Sequence, residues 1–316
     1  MKLFIRRLTS IVALLFIYCA SKEFNYSRFI VGSSCEIKFY CNTETTARQI
    51  THEIDSELVR LDSLLNRFSE KSLVTALNRS SRVKAPQDII YLFSLSDSLS
   101  QLTEGLFDIS VAPLLGLWGF YSREFKVPDS TEISDTRKLV DYTTIQIKPD
   151  SIIIPEGMNV DLGGIAQGYA ADRVKKVLDK YRIESAIINI GGEIVAIGQS
   201  SKGRPWRVGI KNPRGEGIIE TVELKDYALS TSGDYEKFFM IDNKRHPHII
   251  NPKTGFPALD FASVTVFADN ASFADAMATA VAIMGPDQGI KFLDSLGIHG
   301  IIYYEKQGNL TRIETK

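Results

Sequence analysis

Residues 160–174 read VDLGGIAQGYAADRV, and this stretch gives the clearest indication of the fold. Asp161 lies at the end of a strand-like run, and a helix predicted over residues 163–180 begins at Gly163-Gly164. Glycines there let the backbone approach a ligand closely, and a helix N-terminus attracts anions. The same pair also makes an ordinary tight turn, and the sequence alone leaves both interpretations open. The motif is neither a G-x-G-x-x-G dinucleotide fingerprint nor a P-loop.

The segments on either side of this stretch mix helices and strands without a regular repeat. Apolar residues at helical spacing predict helices over residues 46–66, 86–103, 272–284 and 287–296. Short β-type runs between turn signals predict strands over residues 186–190, 194–197, 206–210, 218–224, 238–241, 264–267 and 300–304. Because these elements do not alternate as βαβ units, the sequence predicts an α+β fold.

The composition is that of an ordinary globular protein. Of the 316 residues, 44% are hydrophobic and 24% are charged, so the chain can bury a sizeable core. The 37 basic and 38 acidic residues give a formal net charge of −1. A nucleic-acid-binding protein with a strongly basic surface is therefore not expected. Composition also excludes collagen, coiled coils and proteins with many membrane spans.

The first 18 residues have the pattern of a secretory signal. Basic residues precede a short apolar run, and Cys19 follows it directly. An apolar run that ends in Cys resembles a bacterial lipoprotein signal, although the bulky residue before the Cys leaves an uncleaved anchor or ordinary secretion open. We therefore predict a signal peptide over residues 1–18, a lipid anchor at Cys19, a tether over residues 19–27 and the folded domain over residues 28–316.

Two further cysteines lie in one predicted strand, SSCEIKFYC. Cys35 and Cys41 are six residues apart, which is too far along a strand for a disulfide unless the chain bends. Their spacing fits neither a metal site nor a dithiol motif, so we expect two structural thiols.

The segment ADAMATAVAIMG, residues 274–285, carries a possible metal site. Asp275 and Thr279 are four residues apart, so they share one face of the predicted helix. A carboxylate and a hydroxyl on one face suit a hard cation such as Mg²⁺. The alternative is a buried Ala-rich helix in which Asp275 interacts with the helix dipole, and the spacing alone favours that interpretation.

The segment HPHIINPKTGFP, residues 246–257, carries a possible general base. His248 precedes the turn over residues 251–255, and the chain has only four histidines. A neutral imidazole near pH 7 can accept a proton from a substrate. A histidine that is simply hydrogen-bonded in a loop is the alternative.

Three further segments contain weaker signals. Thr231 lies in a polar bend predicted over residues 230–233, which could bind phosphate or ribose or form a capped turn. Residues 105–120 form a predicted loop and an apolar segment that we expect to pack in the core. Ser72 is a possible N-cap of a short helix.

Taken together and in this order, the segments DLGGIAQGYAAD, TSGDYEKFF, HIINPKTGFP and ADAMATA resemble the ApbE family of flavin transferases, from about Gly32 to beyond Gly285. The resemblance implies a single α+β domain of the ApbE type, T-fold-like, with mixed antiparallel sheets and flanking helices. It also implies an FAD:protein FMN transferase. Such an enzyme cleaves FAD at its pyrophosphate with the help of Mg²⁺, transfers FMN to a Thr or Ser hydroxyl of a target protein and releases AMP.

The resemblance assigns roles to individual residues. It implies that Asp275, Thr279 and the backbone carbonyl of Gly164 bind Mg²⁺, and that His248 accepts the proton of the incoming hydroxyl. Residues that match FAD-contacting positions are Val31, Phe68, Leu106, Phe107, Asp108, Asp161, Gln167, Ile249 and Ile250.

Three of these positions depart from the family pattern. Val31 replaces a usual Met, and Gln167 replaces a usual Lys or Glu. Phe68 replaces a Tyr that stacks near the cofactor, so the ring face is kept and the hydroxyl is lost. The change at Phe68 keeps FAD hydrolysis to FMN and AMP as an alternative activity, and a non-catalytic flavin-binding lipoprotein is the other alternative.

The resemblance also implies partners and a location. The acceptors would be flavin-carrying subunits of membrane redox complexes, and no nucleic acid is involved. The lipid on Cys19 would anchor the protein to the outer side of the inner membrane, in the periplasm or its equivalent.

Overall fold

The computed structural model describes residues 21–316, so the predicted signal peptide and Cys19 lie outside the described residues. The helices are α1 (Glu44–Leu65), α2 (Leu73–Ser80), α3 (Gln87–Leu102), α4 (Ala112–Leu117), α5 (Ser130–Arg137), α6 (Ala166–Lys180), α7 (Ala271–Met284) and α8 (Pro286–Leu296). No helix in this part of the chain is long and apolar enough to cross a bilayer.

Most strands belong to one large sheet. The strands are β1 (Lys22–Ile30), β2 (Ser33–Cys41), β3 (Arg82–Lys84), β4 (Gln146–Ile147), β5 (Ser151–Ile153), β6 (Ser185–Ile190), β7 (Glu193–Gly198), β8 (Trp206–Lys211), β9 (Ile218–Leu224), β10 (Tyr227–Gly233), β11 (Phe238–Ile241), β12 (Lys244–Pro247), β13 (Ser263–Ala268), β14 (Gly300–Lys306) and β15 (Asn309–Glu314). Eight of them form an antiparallel sheet in the order β1-β2-β6-β7-β10-β13-β14-β15. The predicted α+β class is confirmed, and the domain carries mixed helices and antiparallel sheets.

Alternating side chains give this sheet two different faces. On β7, Val195 and Ile197 belong to the core under the helices, whereas Ile194 and Ala196 pack against the β8–β9 hairpin. The hairpin alternates in the same way, since every second residue of β8, from Trp206 onward, is buried. Both faces are therefore covered by the chain itself in the middle of the sheet.

The helical layer follows from two kinds of sequence pattern. Helix α1 buries one apolar stripe, and Thr43 caps its N-terminus by accepting a hydrogen bond from the Thr46 N–H at 3.1 Å. Helix α7 is Ala-rich and buried almost all round, because it lies between the sheet and α6. At Gly168 the two helices approach so closely that a Cβ would stand 2.3 Å from the Ala271 carbonyl oxygen.

Several sequence predictions are confirmed. The helices predicted over 46–66, 86–103, 272–284 and 287–296 are present within a few residues of their expected ends, as are all seven predicted strands. Ser72 caps α2 by accepting from the Thr75 N–H. Cys35 and Cys41 are buried free thiols on β2.

Three predictions are wrong. Residues 22–27 are not a tether: they belong to β1, which pairs with β2 along its whole length. The helix expected from residue 163 begins at Ala166, because residues 163–165 form a turn. Residues 230–233 are not a bend but part of β10, a central strand that lies between β7 and β13.

Candidate active site

A short turn before α6 forms the middle of the site. Its first residue, Asp161, donates its backbone N–H to the Ile109 carbonyl at 2.7 Å. The Asp161 side chain accepts the Gly163 N–H at 2.6 Å, which fixes the bend between strand-like chain and helix. Gly164 follows at the other end of the turn. The two ends of this segment contact different groups: Asp161 contacts Arg67 and Tyr121, and Gly164 contacts α7.

At the Asp161 end, two side chains that the sequence analysis missed hold the carboxylate. Tyr121 donates its hydroxyl to Asp161 Oδ2 at 2.6 Å, and Arg67 Nη1 donates to the same oxygen at 3.1 Å. The Arg67 guanidinium also lies over the Tyr121 ring, 3.4 Å from its centroid. Burial is the main cause that raises the pKa of Tyr121 well above its ordinary value, so its hydroxyl keeps its proton.

Phe68 forms an exposed edge beside this group. Its ring meets the Tyr121 ring edge-on with 6.2 Å between the centroids. The side chain is 71% exposed, which is unusual for a phenylalanine. An exposed aromatic ring next to a half-buried carboxylate is available to stack on a planar ligand.

His248 lies within electrostatic reach of Asp161 and directly follows the β11–β12 hairpin. The Lys237 carbonyl accepts two hydrogen bonds from it, from the backbone N–H at 3.0 Å and from ring Nδ1 at 3.1 Å. With Nδ1 as the donor, ring Nε2 carries the lone pair and can accept a proton.

The surroundings of His248 keep its ring neutral. Protein surrounds the partly accessible ring, and this desolvation, helped by the positive charge of Lys237, lowers the pKa of His248 to about 4. The hairpin is held by an aromatic cluster in which Phe239 packs against His246 and Trp118, and the Trp118 indole donates to the Gly255 carbonyl at 2.9 Å. The base is therefore both uncharged near neutral pH and fixed in position.

At the Gly164 end, the turn meets helix α7. A Cβ built on Gly164 would lie 3.2 Å from Thr279 Oγ1 and 3.4 Å from the Phe107 ring. One turn earlier on α7, Asp275 accepts the Gly168 N–H at 3.1 Å. The structure thus brings together Gly164, Asp275 and Thr279, the three residues expected to bind a metal.

The charge of Asp275 is poorly compensated. The carboxyl is buried, a single N–H donates to it, and desolvation raises its pKa to about 7. Glu193 lies close enough to interact electrostatically, and burial raises its pKa well above the ordinary value. Within residues 21–316 no three His, Cys, Asp or Glu side chains form a metal cluster. A carboxylate, a hydroxyl and a backbone carbonyl nevertheless form an oxygen-only donor set that fits Mg²⁺.

Two other residues expected to contact FAD, Val31 and Gln167, lie at turns that connect strands of the large sheet. Val31, in the β1–β2 turn, adopts a left-handed conformation with φ of 55°, and its N–H donates to Asp62 at 3.0 Å. Such a φ is strained for a β-branched residue. Gln167 lies against the β6–β7 turn, since its Nε2 would be 2.8 Å from a Cβ on Gly191. Ser33, the first residue of β2, lies against the same turn, with its Oγ 2.6 Å from that position.

The remaining residues that are expected to contact FAD either use their polar groups in hydrogen bonds within the protein or pack in the core. Asp108 accepts hydrogen bonds from the Ser110 N–H and hydroxyl and from the Tyr142 N–H, so its carboxylate stabilises its own loop. Thr231 shares a hydrogen bond of 2.8 Å with Thr265 across β10 and β13. Phe107, Ile249 and Ile250 occupy core positions, and the partly buried Leu106 packs against the core. Contact of any of these residues with FAD stays a prediction.

The fold and these two groups, a neutral histidine and an uncompensated carboxylate, are compatible with an α+β enzyme. The ApbE family model matches residues 31–302. An FAD:protein FMN transferase of Vibrio cholerae is 34% identical over 256 residues, which cover 78% of this chain and 75% of the relative. That of Haemophilus influenzae is 29% identical over 301 residues, covering 89% and 87%.

Solved structures agree with this result. The apo form of the flavinyl transferase ApbE from Pseudomonas stutzeri superposes with a TM-score of 0.86 at 29% identity, covering 94% of this chain and 96% of that chain. The ApbE protein of Thermotoga maritima gives 0.84 at 32% identity, covering 92% and 97%. The chain belongs to the ApbE family and is a transferase, as the sequence resemblance implies.

Proposed function

We propose that the protein is an Mg²⁺-dependent FAD:protein FMN transferase that acts on a Thr or Ser hydroxyl of a target protein and releases AMP. The activity named for its relatives supports the transfer of FMN. One observation in the structure supports the rest: the segment over residues 161–164 has a neutral histidine within electrostatic reach of Asp161 and the Thr279 hydroxyl against Gly164, one helical turn from the uncompensated Asp275 carboxylate.

Asp275, Thr279 and the Gly164 carbonyl would hold the cation. When bound, Mg²⁺ neutralises negative charge on the pyrophosphate of FAD and on the leaving phosphate. The chain supplies the position: α7 presents the two side chains one helical turn apart, and the turn at Gly164 brings backbone within reach of Thr279. A side chain at Gly164 would occupy the space in front of Thr279 Oγ1.

His248 would act as the general base. Its Nε2 takes the proton as the hydroxyl oxygen of the acceptor forms a bond to the phosphorus of the FMN half. The bond between that phosphorus and the bridging oxygen breaks, and AMP leaves with the electron pair. The Lys237 carbonyl holds the ring in the tautomer that this step needs.

Asp161 would orient FAD rather than take part in proton transfer. Arg67 and Tyr121 hold its carboxylate, and Arg67 offsets its charge. The exposed Phe68 ring beside them supports stacking on a planar ring of FAD. Because Phe68 lacks a hydroxyl, we expect Phe68→Tyr to change the ratio of transfer to hydrolysis.

The acceptors that we propose are flavin-carrying subunits of membrane redox complexes. We also propose that lipid on Cys19 anchors the protein on the periplasmic side of the inner membrane. Labelling of the full chain with radioactive palmitate tests the anchor: label that persists in Cys19→Ala would rule it out.

The test of the activity is an incubation of the protein with FAD, Mg²⁺ and an acceptor domain, followed by mass spectrometry of the acceptor and by measurement of AMP. Flavin bound covalently to the acceptor, with one AMP per flavin, supports the proposal. Free FMN and AMP without modified acceptor would identify a hydrolase instead. FAD binding without AMP would identify a flavin-binding protein.

A further inference from the structure

Glu193 is a buried carboxylate that is not among the residues proposed to hold the cation, accept the proton or orient FAD. It is the first residue of β7 and follows the Gly191-Gly192 turn. Strand alternation places its side chain on the same face as Val195 and Ile197, the face covered by helices α6 and α7. The residue is 5% exposed, so its carboxyl group lies in the helix–sheet core.

The hydrogen bonds of Glu193 do not account for its burial. Ser230, on the neighbouring strand β10, donates its hydroxyl to Glu193 Oε1 over a long 3.3 Å. The other oxygen, Oε2, is buried without a hydrogen-bond partner. Native proteins rarely leave a buried carboxylate oxygen unpaired, because the group loses its water without replacement.

The nearest acidic neighbour makes the situation less favourable. Asp275 lies on α7, which packs on β7 and β10, and its charge disfavours ionisation of Glu193. None of the ion pairs in the described part of the chain involves Glu193 or Asp275. Two buried carboxylates of like charge therefore interact, and one of them has an oxygen without a hydrogen-bond partner, so a cation bound by both would relieve the repulsion and replace the lost hydration.

We propose that Glu193 is the second carboxylate of the divalent-cation site and binds the cation together with Asp275. This inference rests on the proposed function, because it extends the site formed by Gly164, Asp275 and Thr279. Two carboxylates balance the charge of one divalent cation before any phosphate arrives. The cation can therefore bind to the free protein, and FAD then binds to a loaded site.

The test uses Mn²⁺ as the probe and needs no FAD. Free Mn²⁺ gives a six-line electron paramagnetic resonance signal that weakens when the ion binds, so a titration gives the affinity directly. We expect Glu193→Gln to weaken Mn²⁺ binding about 10-fold and Asp275→Asn at least as much. Glu193→Asp keeps the charge and should restore part of the affinity. Melting temperatures with and without Mn²⁺ give a second readout.

A matched control lies in the same helix pair. Asp172 is also a buried carboxylate, but three donors from Ala271 and Ser272 satisfy it. The charge of Asp172 reaches Asp275, but the residue would not touch the cation, so Asp172→Asn should lower the Mn²⁺ affinity much less than Glu193→Gln does. If Glu193→Gln binds Mn²⁺ like the unmodified protein while Asp275→Asn does not, the role of Glu193 is refuted and the proposed function stands. If Asp275→Asn also binds normally, the proposed metal site itself is wrong.

Discussion

Helices α6 and α7 contact each other through one aspartate at each end of their interface, and the two aspartates differ in how many hydrogen bonds they accept. At one end, Asp172 of α6 accepts the N–H groups of Ala271 and Ser272 at 2.8 and 2.9 Å, and the Ser272 hydroxyl as well. At the other end, Asp275 of α7 accepts only the Gly168 N–H at 3.1 Å. Each carboxylate therefore lies at the N-terminus of the opposite helix, where the helix dipole favours it.

The difference between the two ends separates a structural acid from a functional one. Asp172 has the donors that its burial requires, so it stabilises the start of α7. Asp275 lacks them, and the charges of Glu193, of Asp172 and of Glu236, which lies between β10 and β11, add to its negative charge rather than relieve it. A buried charge that the protein itself leaves uncompensated is stabilised only when a cation binds.

The largest expected effect comes from the functional end. Asp275→Asn removes the buried charge, so we expect AMP release from FAD to fall about 1,000-fold, or about 4 kcal/mol of transition-state stabilisation. The melting temperature of the metal-free variant should equal or exceed that of the unmodified protein, because an uncompensated charge is gone. AMP release that persists in a folded variant would contradict the role of Asp275.

The second largest effect is expected at His248, and it should not alter the environment of Asp172 or Asp275. His248→Ala removes the proton acceptor, so transfer of FMN should fall about 100-fold while FAD and Mn²⁺ bind as before. Rates of acceptor modification and equilibrium binding of FAD measure the two properties separately. Equal losses in rate and in binding would show that His248 is structural.

The third effect tests the structural end. Asp172→Ala leaves the first N–H groups of α7 without their acceptors, so the free energy of unfolding should fall by about 1–3 kcal/mol. Urea denaturation measures this loss. The Mn²⁺ affinity of the folded variant is the control, because Asp275 lies on the next turn of the same helix. A large drop in this affinity would show that the Asp172 and Asp275 ends of the α6–α7 contact are not independent.

The smallest effect is a pH dependence. The pKa of His248 is about 4 in the folded protein, below its ordinary value of 6.5. Between these two pH values the unfolded chain binds more protons, so the contribution of His248 to stability is present above pH 6.5 and is lost as the pH falls toward 4. Resonances of a ¹⁵N-labelled His248 ring should show no titration between pH 7 and 5. A midpoint near 6.5 would contradict this account of its environment.

The parts of the fold that periodicity determines were predictable from the sequence. The apolar spacing of α1 and the alternation in β8 each identify one element and its buried face. The β1 strand was not predicted, because its sequence KEFNYSRFI mixes polar and apolar residues and most of them are exposed, and it is ordered by pairing with β2 and by contacts with α1. The start of α6 was displaced by three residues, because the Asp161 side chain holds the glycines in a turn.

The site was predictable where residues are close in sequence or belong to a family motif. Asp275 and Thr279 lie one helical turn apart, and the structure adds only that Gly164 faces Thr279. Arg67 and Tyr121 could not be found in this way: they lie 94 and 40 residues from Asp161, and neither belongs to a quoted motif. Glu193 was visible beside a Gly-Gly turn, but only three-dimensional burial shows that its oxygen has no partner.

A crystal of the protein soaked with Mn²⁺ and FAD tests the central claim most directly, because anomalous scattering locates the ion without reference to activity. The account predicts one strong anomalous peak bonded to the Asp275 carboxylate, the Thr279 hydroxyl and the Gly164 carbonyl, next to the pyrophosphate of FAD. Bound FAD with no peak near Asp275, or with a peak elsewhere, would contradict it.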